Sequence, residues 1–147
     1  MVERLVLTGQ NLGLETVERV AGPTPIRVSL GRAARRRVEA ARREVDSLVA
    51  EGRVVYGVTT GFGALSEVVI PAERLAELQA NLIRSHASGT GEPLDEAEVR
   101  ATMLLRANVL ARGFSGVRPA VIDLLLELLN RRIHPVVPRY GSVGASG

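Results

Sequence analysis

The sequence lacks several residue types that common kinds of chemistry need. Among its 147 residues there is no cysteine, no lysine and no tryptophan, so it can form no disulfide, thiolate metal site or cysteine nucleophile. Its two histidines lie far apart, which does not predict a metal centre. No stretch approaches the roughly 20 apolar residues that cross a bilayer, and the first residues lack the apolar core of a signal peptide. We therefore expect no metal, no membrane partner and a cytoplasmic location.

All basic side chains are arginines, and 19 of them against 16 acidic residues give a net charge of +3. Their dense cluster at residues 32–43 raises the hypothesis of a non-catalytic basic helical module that binds nucleic acid. A solvated helix face is favoured, because only 3% of residues are aromatic and opposite charges recur four residues apart. The predicted surface pairs are Arg35–Glu39, Glu39–Arg43 and Arg42–Asp46. We expect no nucleic-acid partner.

Hydrophobic spacing predicts a mainly α-helical chain with a few short strands. The segments RLVLTG and PIRVS carry the branched residues of strands, and GLETVERVAG between them favours a brief helix. A longer helix is predicted from Ser29, as its N-cap, to about Gly52. Another starts near Pro71 and ends by Gly89. Its expected buried side consists of Leu75, Leu78, Leu82 and Ile83.

The last third of the chain predicts two more helices. Asp95 and Glu98 have the spacing of a capping box, and VRATMLLRANVLARG continues as a helix. The final helix runs from about Pro119 to Arg132 and is apolar on nearly every side, which predicts burial all round. Such a helix indicates a helical bundle with more members than this chain supplies. Residues 1–147 are therefore interpreted as one piece of a single domain.

Two glycine-rich loops require comparison with phosphate-binding loops. GSVGASG, residues 141–147, spaces its glycines three apart, which fits neither the dinucleotide fingerprint nor the loop that ends in Gly-Lys-Ser/Thr. GVTTGFG, residues 57–63, follows no clear strand and opens no helix. Neither loop predicts phosphate binding.

The tripeptide Ala145-Ser146-Gly147 has another chemical property. If a tight bend brings the amide nitrogen of Gly147 onto the carbonyl carbon of Ala145, a five-membered ring can close with loss of water. Loss of the Ser146 hydroxyl as a second water leaves an exocyclic methylidene, which is an electrophile. Small residues are needed here because a bulky side chain would block the approach, and glycine tolerates the required backbone angles.

Four segments of the chain together carry a family resemblance. They are YGVTTGFG, LQANLIRSHASGTGEPL, RANVLARGFSGVRP and HPVVPRYGSVGASG. In this order and approximate spacing they resemble the aromatic amino acid ammonia-lyases and aminomutases. The resemblance implies that Ala145, Ser146 and Gly147 form 4-methylidene-imidazol-5-one (MIO), with no external cofactor.

The resemblance also has implications for domain organisation. Members of the family are longer than this chain. Residues 1–147 are therefore expected to be the N-terminal part of one ammonia-lyase domain, a large helical bundle with ordered active-site loops. This part ends at the MIO-forming tripeptide, and the remainder of the enzyme is absent. The family further implies a homotetramer whose active sites are shared between subunits.

The resemblance assigns the base of the reaction to Tyr56. Elimination of ammonia from an α-amino acid needs an electrophile for the amine and a base for the weakly acidic β-proton. The glycines that follow Tyr56 allow its loop to lie close over a ligand or to act as a lid. The predicted loop residues are Gly57, Thr59, Thr60, Gly61 and Phe62, with Gly63 expected to contact the substrate.

The resemblance assigns the choice of substrate to His86. Ser85 and His86 resemble the pair found in histidine-specific members, and an imidazole can exchange a hydrogen bond with the imidazole of a histidine substrate. Leu82 lies on the same helical side and is expected to shape the pocket. The expected reaction is elimination of ammonia from L-histidine to give trans-urocanate. A phenylalanine or tyrosine ammonia-lyase, or an aminomutase with the same electrophile, remains the alternative.

Overall fold

The computed structural model describes residues 2–10 and 12–141, and the chain divides into two compact units. The first comprises Met1–Arg43 and Glu92–Val137, and the second comprises Glu44–Gly91 and Pro138–Gly147. The described residues are mainly helical with short strands, which confirms the predicted fold class. In chain order the elements are β1 (Glu3–Leu7), α1 (Leu14–Ala21), β2 (Ile26–Leu30), α2 (Arg32–Ala50), α3 (Leu75–His86), β3 (Thr90–Pro93), α4 (Glu96–Leu110), α5 (Pro119–Asn130) and β4 (Pro138–Tyr140).

The first unit opens with a small parallel sheet made of β1 and β2. Glu3 lies opposite Ile26 and Leu7 lies opposite Leu30, with α1 connecting the two strands. Side chains alternate between the two faces, so Leu7 and Val28 are buried while the residues beside them in each strand are more exposed. Both predicted strands and the helix between them are confirmed.

The core of the first unit forms where α4 packs against α1 and α5, and α5 packs against β2. Burial of this apolar surface is the main force that holds the unit together, at about 25 cal/mol per Å². Its large, fully buried apolar side chains include Leu7, Val20, Val28, Leu104, Ile122 and Leu129.

The helix α4 begins with the predicted capping box. The Asp95 carboxylate accepts a hydrogen bond from the Glu98 backbone N–H at 2.8 Å, and the Glu98 carboxylate accepts one from the Asp95 N–H at 3.1 Å. These bonds satisfy donors that the first turn of a helix otherwise leaves unpaired. The sequence-based start of α4 is thereby confirmed.

Within the described part of the chain the helix α5 is buried on one side, and its predicted burial by further members of a bundle stays a prediction. Its buried residues are Ile122, Leu126 and Leu129. On another side Leu124 is 61% exposed, because the described part of the chain provides no layer that covers it. At the end of α5, the Asn130 amide bonds to both the N–H and the C=O of Val28, each at 2.8 Å, and so extends the pairing of β2.

A buried arginine joins three elements of the first unit. Arg100 is 2% exposed, and its guanidinium donates to the carbonyls of Val20 at 2.8 Å and Leu129 at 3.0 Å. These carbonyls belong to the last turns of α1 and α5, where the helix dipoles are negative. Burial, and secondly the charge of Arg132, lower the pKa of Arg100. His134 Nε2 lies 3.3 Å from the same guanidinium.

Two predictions about α2 are wrong. Ser29 is not its N-cap, because this residue lies within β2 and pairs with Val6 in the sheet. The carbonyl of Gly31 instead accepts the first helical hydrogen bond, from Arg35 N–H at 2.9 Å. The side chain of Arg35, predicted to pair with Glu39, forms its hydrogen-bonded ion pair with Asp123 of α5. That partner lies 88 residues away, so helical spacing could not reveal it.

The predicted buried side of α3 is also wrong for this chain. The helix has no buried residue among those described. Leu75, Leu78 and Leu82 are half-buried, and Ile83 is 72% exposed. The apolar spacing does produce a helix, which ends at His86, before the predicted limit of Gly89. Within the described part of the second unit, its main neighbour is the short 3₁₀ turn Ala72–Arg74.

Candidate active site

The predicted loop after Tyr56 is an ordered, hydrogen-bonded structure. Thr60 and Val69 form an isolated antiparallel bridge. Around it, the Ile70 N–H donates to the Thr59 carbonyl at 2.9 Å, and the Gly61 N–H donates to the Val68 carbonyl at 3.1 Å. A short 3₁₀ turn, Gly63–Leu65, lies between the two arms. The loop therefore folds back on itself.

Two buried threonines hold this loop from within. The Thr59 hydroxyl accepts from the Val55 N–H at 2.8 Å and donates to the Arg53 carbonyl at 2.7 Å. The Thr60 hydroxyl accepts from the Gly57 N–H at 3.2 Å and donates to the carbonyl of Gly61 at 3.0 Å. Both hydroxyls are thus occupied by loop backbone, and each satisfies groups that would be costly to bury unpaired. Their observed role is to support the loop.

Three positions of the loop require glycine, and the structural reason differs between them. Gly57 has φ +70° and Gly63 has φ +56°, a region that side chains with a Cβ rarely adopt. A Cβ on Gly61 would lie 2.6 Å from the Cβ of Leu65 and 2.8 Å from its carbonyl oxygen. Such distances leave no room for any side chain. Glycine at all three positions is therefore what lets the loop turn tightly below Tyr56.

Tyr56 directly precedes this loop, and its side chain is accessible to solvent. It is 63% exposed, and its ring meets the ring of Phe62 edge to face, with centroids 5.9 Å apart. Edge-to-face packing is a favourable geometry for two aromatic rings and restricts their orientation. Gly57 makes this approach possible, since a Cβ there would lie 3.0 Å from the Phe62 ring. The phenol is thus oriented by the loop and open to a reactant.

A second group of predicted residues lies at the end of α3. The Ser85 hydroxyl donates to the Leu82 carbonyl at 2.9 Å. His86 Nδ1 lies 2.9 Å from the same carbonyl and 3.0 Å from the Ser85 hydroxyl oxygen. A carbonyl can only accept, so these distances assign the ring proton to Nδ1. The tautomer with its single proton on Nδ1 carries the free lone pair on Nε2.

The contacts given by the structure form two groups of predicted residues. One group lies within the loop, from Tyr56 to Gly63, and the other joins Leu82, Ser85 and His86. Ala145, Ser146 and Gly147 lie outside the described residues, as does the rest of segment 142–147. Thr59 was expected to have only a supporting role, but the hydrogen bonds by which both threonine hydroxyls hold the loop backbone were not predicted, although a Thr-Thr pair before glycine is a local signal of a side-chain-supported turn.

The first unit contains a cavity of about 1060 Å³, and none of the described predicted site residues lines it. Arg4, Arg27, Arg100, Glu127 and Arg132 are among its lining residues. Within residues 2–10 and 12–141, no three histidine or acidic side chains are grouped so that they could bind a metal ion. In the same part of the chain, every helix is too short or too polar to span a bilayer.

Comparison with known proteins identifies the family. Residues 12–147 match the family model described as aromatic amino acid lyase. A histidine ammonia-lyase of Geobacillus sp. (strain WCH70) is 52% identical over 143 residues, which cover 97% of this chain. The chain therefore belongs to the aromatic amino acid lyase family. It spans 28% of the length of that relative.

The solved structures with the same fold are named for several different activities. Ergothionase from Treponema denticola superimposes with a TM-score of 0.91 at 33% identity, over 96% of this chain and 28% of that one. Tyrosine aminomutase from Streptomyces globisporus gives a TM-score of 0.89 at 34% identity, over 95% of this chain and 26% of that one. The fold of this region is thus common to family members with different substrates.

Proposed function

We propose that this chain is the N-terminal part of a single ammonia-lyase domain that eliminates ammonia from L-histidine and yields trans-urocanate. The observation that carries this proposal is the 52% identity to a histidine ammonia-lyase along nearly the whole chain. The Ser85–His86 pair at the end of α3 provides a second, chemical argument. A complete site needs further residues, since the chain spans 28% of that relative.

The residues at the end of the chain fit the prosthetic group of the proposed reaction. Ala145, Ser146 and Gly147 supply the carbonyl carbon, the hydroxyl and the amide nitrogen that ring closure consumes. Once formed, MIO would supply an electrophile for the substrate amine and so make the nitrogen a better leaving group. The tripeptide is the part of the chain assigned to hold this chemistry.

Tyr56 is assigned as the base that removes the β-proton. Its accessible phenol and its fixed contact with Phe62 support this role, because a general base must reach the proton in a defined geometry. Thr59 and Thr60 act indirectly, by holding the backbone beneath Tyr56. A tight loop lets a substrate lie against it, and the loop is tight because Gly57 and Gly63 have positive φ and a Cβ on Gly61 would clash with Leu65.

His86 is assigned to substrate recognition, with Ser85 and Leu82 as its supports. With the proton held on Nδ1, Nε2 can accept a hydrogen bond from the N–H of a substrate imidazole. Phenylalanine has no donor for this position, whereas tyrosine has its hydroxyl. The pair therefore favours histidine or tyrosine over phenylalanine, and the sequence identity favours histidine.

The His86 assignment can be tested with matched substitutions. His86→Leu in the complete protein removes the acceptor and is expected to lower kcat/KM for L-histidine by roughly 10- to 100-fold. His86→Gln keeps an acceptor at similar reach and is expected to lose less. Equal losses in the two variants would contradict recognition through Nε2.

The proposed assembly is a cytoplasmic homotetramer with active sites shared between subunits. Exposed apolar side chains on two helices, Ile83 of α3 and Leu124 of α5, support burial by further protein. They do not distinguish other parts of the same chain from a neighbouring subunit. Light scattering of the complete protein provides the test, and a monomer with full activity would contradict the shared site.

A tyrosine or phenylalanine ammonia-lyase, or an aminomutase, is the second candidate. The TM-score of 0.89 to a tyrosine aminomutase favours this alternative. Incubation of the complete protein with each amino acid, followed by product identification, separates the candidates. Urocanate and ammonia from L-histidine support the proposal. Cinnamate or a β-amino acid, without urocanate, would reject it.

A further inference from the structure

The cavity of about 1060 Å³ in the first unit is lined by more positive than negative side chains. It lies where the beginnings of β1 and β2 meet the C-terminal end of α5, and all its lining residues belong to this unit. Its volume is close to the upper end of the range typical of small-molecule sites, about 300–1,000 Å³. Two glutamates line it, against five arginines: Arg4, Arg27, Arg100, Arg131 and Arg132.

The carboxylates of the cavity wall already have partners. Three ion pairs involve residues of the wall: Glu3–Arg19, Glu127–Arg131 and Arg132–Glu96. The first of them uses a lining glutamate for an arginine outside the wall. Within residues 2–10 and 12–141, the other three arginines of the wall, Arg4, Arg27 and Arg100, form no ion pair. The cavity therefore holds an excess of positive charge.

Two of these arginines lie directly opposite each other in the sheet. Arg4 of β1 is in register with Arg27 of β2, and both residues are exposed. The same two residues and Ser29 also line a smaller cavity of about 270 Å³. Neighbouring strands lie about 4.8 Å apart, and like charges placed directly opposite destabilise a sheet. An anion held between the two guanidinium groups would remove this repulsion.

Arg100 adds a buried positive charge to the same wall. It is 2% exposed, and its guanidinium N–H groups donate to the carbonyls of Val20 and Leu129. Its donors are thus already used, so Arg100 contributes charge more than direct hydrogen bonds to a ligand. A buried charge is screened less by water than an exposed one, and a cavity with one dominant sign of charge concentrates its field on a bound ion.

We propose that this cavity binds a small phosphate-bearing anion, whose phosphate oxygens accept hydrogen bonds from Arg4 and Arg27. A guanidinium presents a planar set of N–H donors that matches phosphate oxygens two at a time. A diphosphate matches the site better than a single carboxylate, because three unpaired positive charges face the ligand. The inference is independent of the proposed ammonia-lyase reaction, since none of the described residues assigned to that reaction lines the cavity.

The experiment measures binding of inorganic pyrophosphate to the complete protein by isothermal titration calorimetry. The buffer contains about 150 mM NaCl, which screens exposed charges that are more than about 8 Å apart. Arg4→Gln and Arg27→Gln are each expected to weaken binding by about tenfold, because each removes hydrogen bonds to a charged group. Arg36→Gln is the matched control, since it removes the same charge from an exposed arginine of α2 that does not line the cavity. It is expected to bind like wild type.

A parallel titration with adenosine diphosphate tells an inorganic diphosphate from an organic one. Tighter binding than that of pyrophosphate, weakened in the same two variants, would place the organic part of the ligand in the cavity. Equal binding would assign the diphosphate group alone as the ligand. Thermal unfolding without ligand checks the fold, and Arg27→Gln should not lower the Tm, because it removes one of two opposed like charges.

Three results would overturn the anion site. These are no saturable binding of pyrophosphate to wild type below about 1 mM, equal affinity of Arg4→Gln, Arg27→Gln and wild type, and equal weakening by Arg36→Gln. The last result would show a general attraction to basic surface. Each can occur while the complete protein eliminates ammonia from L-histidine normally, in which case the proposed function stands. Loss of that activity in wild type would equally leave the anion site intact.

Discussion

The two units of the chain bury different kinds of residue. The first unit has an apolar core around α4 and α5, with one buried charge at Arg100. In the described part of the second unit, α3 has no buried residue, and the buried polar side chains are Thr59 and Thr60. The first unit therefore contains most of the buried apolar contacts, while the second presents the exposed side chain of Tyr56 beside a loop that hydrogen bonds stabilise. This contrast predicts that variants in the second unit change turnover more than stability.

The largest effect is expected for Ser146→Ala in the complete protein. Without the serine hydroxyl no methylidene can form, so turnover of L-histidine should fall by roughly 10³-fold or more. Ser47→Ala is the control, because it removes only an exposed hydrogen bond to Glu51. Steady-state rates with both variants provide the measurement. Near-normal turnover of Ser146→Ala would refute the assigned chemistry.

The next largest effect is expected for Tyr56→Phe. The variant keeps the aromatic ring and its contact with Phe62 but loses the hydroxyl, so kcat should fall by about 10²–10⁴-fold. The Tm should stay unchanged, because the phenol is exposed and the fold does not depend on it. A fall in Tm together with kcat would indicate a structural role, and an unchanged kcat would remove Tyr56 as the base.

A smaller free-energy change is expected in the first unit, where stability is the measured quantity. Arg100→Met leaves the carbonyls of Val20 and Leu129 without their donor and should lower the free energy of unfolding by about 3 kcal/mol. Arg35→Met removes a solvent-screened pair with Asp123 and should cost about 0.5 kcal/mol. Denaturant unfolding compares them, and equal losses would contradict the role given to the buried guanidinium.

The smallest effect is expected for Thr60→Val in the loop. This substitution keeps the side-chain volume but leaves the Gly57 N–H and the Gly61 carbonyl unpaired, at a local cost of about 1–2 kcal/mol. Hydrogen exchange at the Gly57 amide should rise by roughly tenfold. Thr102→Val, which loses one exposed bond to the Glu98 carbonyl, is the comparison. If both variants leave exchange in the loop unchanged, Thr60 does not support it.

Local features of the fold were predictable from the sequence. The capping box of Asp95 and Glu98 involves only residues three apart, and the strands β1 and β2 follow from branched residues between turns. Ser29 was misplaced because a hydroxyl residue before an apolar stripe suits both a helix cap and a strand end. The parallel pairing with β1, a contact between distant segments, decides in favour of the strand.

Features that depend on distant contacts were not predictable. The partners of Arg100 are backbone carbonyls 80 and 29 residues away, which have no side-chain signature in the sequence. The close contact between Gly91 and the Tyr140 ring likewise requires two segments that are far apart in the sequence to approach each other. In the candidate site, the resemblance located Tyr56 and His86, whereas the threonine supports and the Nδ1 proton of His86 required the structure. The catalytic assignments themselves remain predictions.

The most direct test of the proposed activity is a competition between substrates. The complete protein is incubated with equal concentrations of L-histidine, L-phenylalanine and L-tyrosine, and the initial products are separated by chromatography and identified by mass spectrometry. The ratio of products then reports the ratio of kcat/KM values. We expect trans-urocanate to dominate from the first time point. Dominance of an aromatic acrylate or a β-amino acid derived from phenylalanine or tyrosine would contradict it.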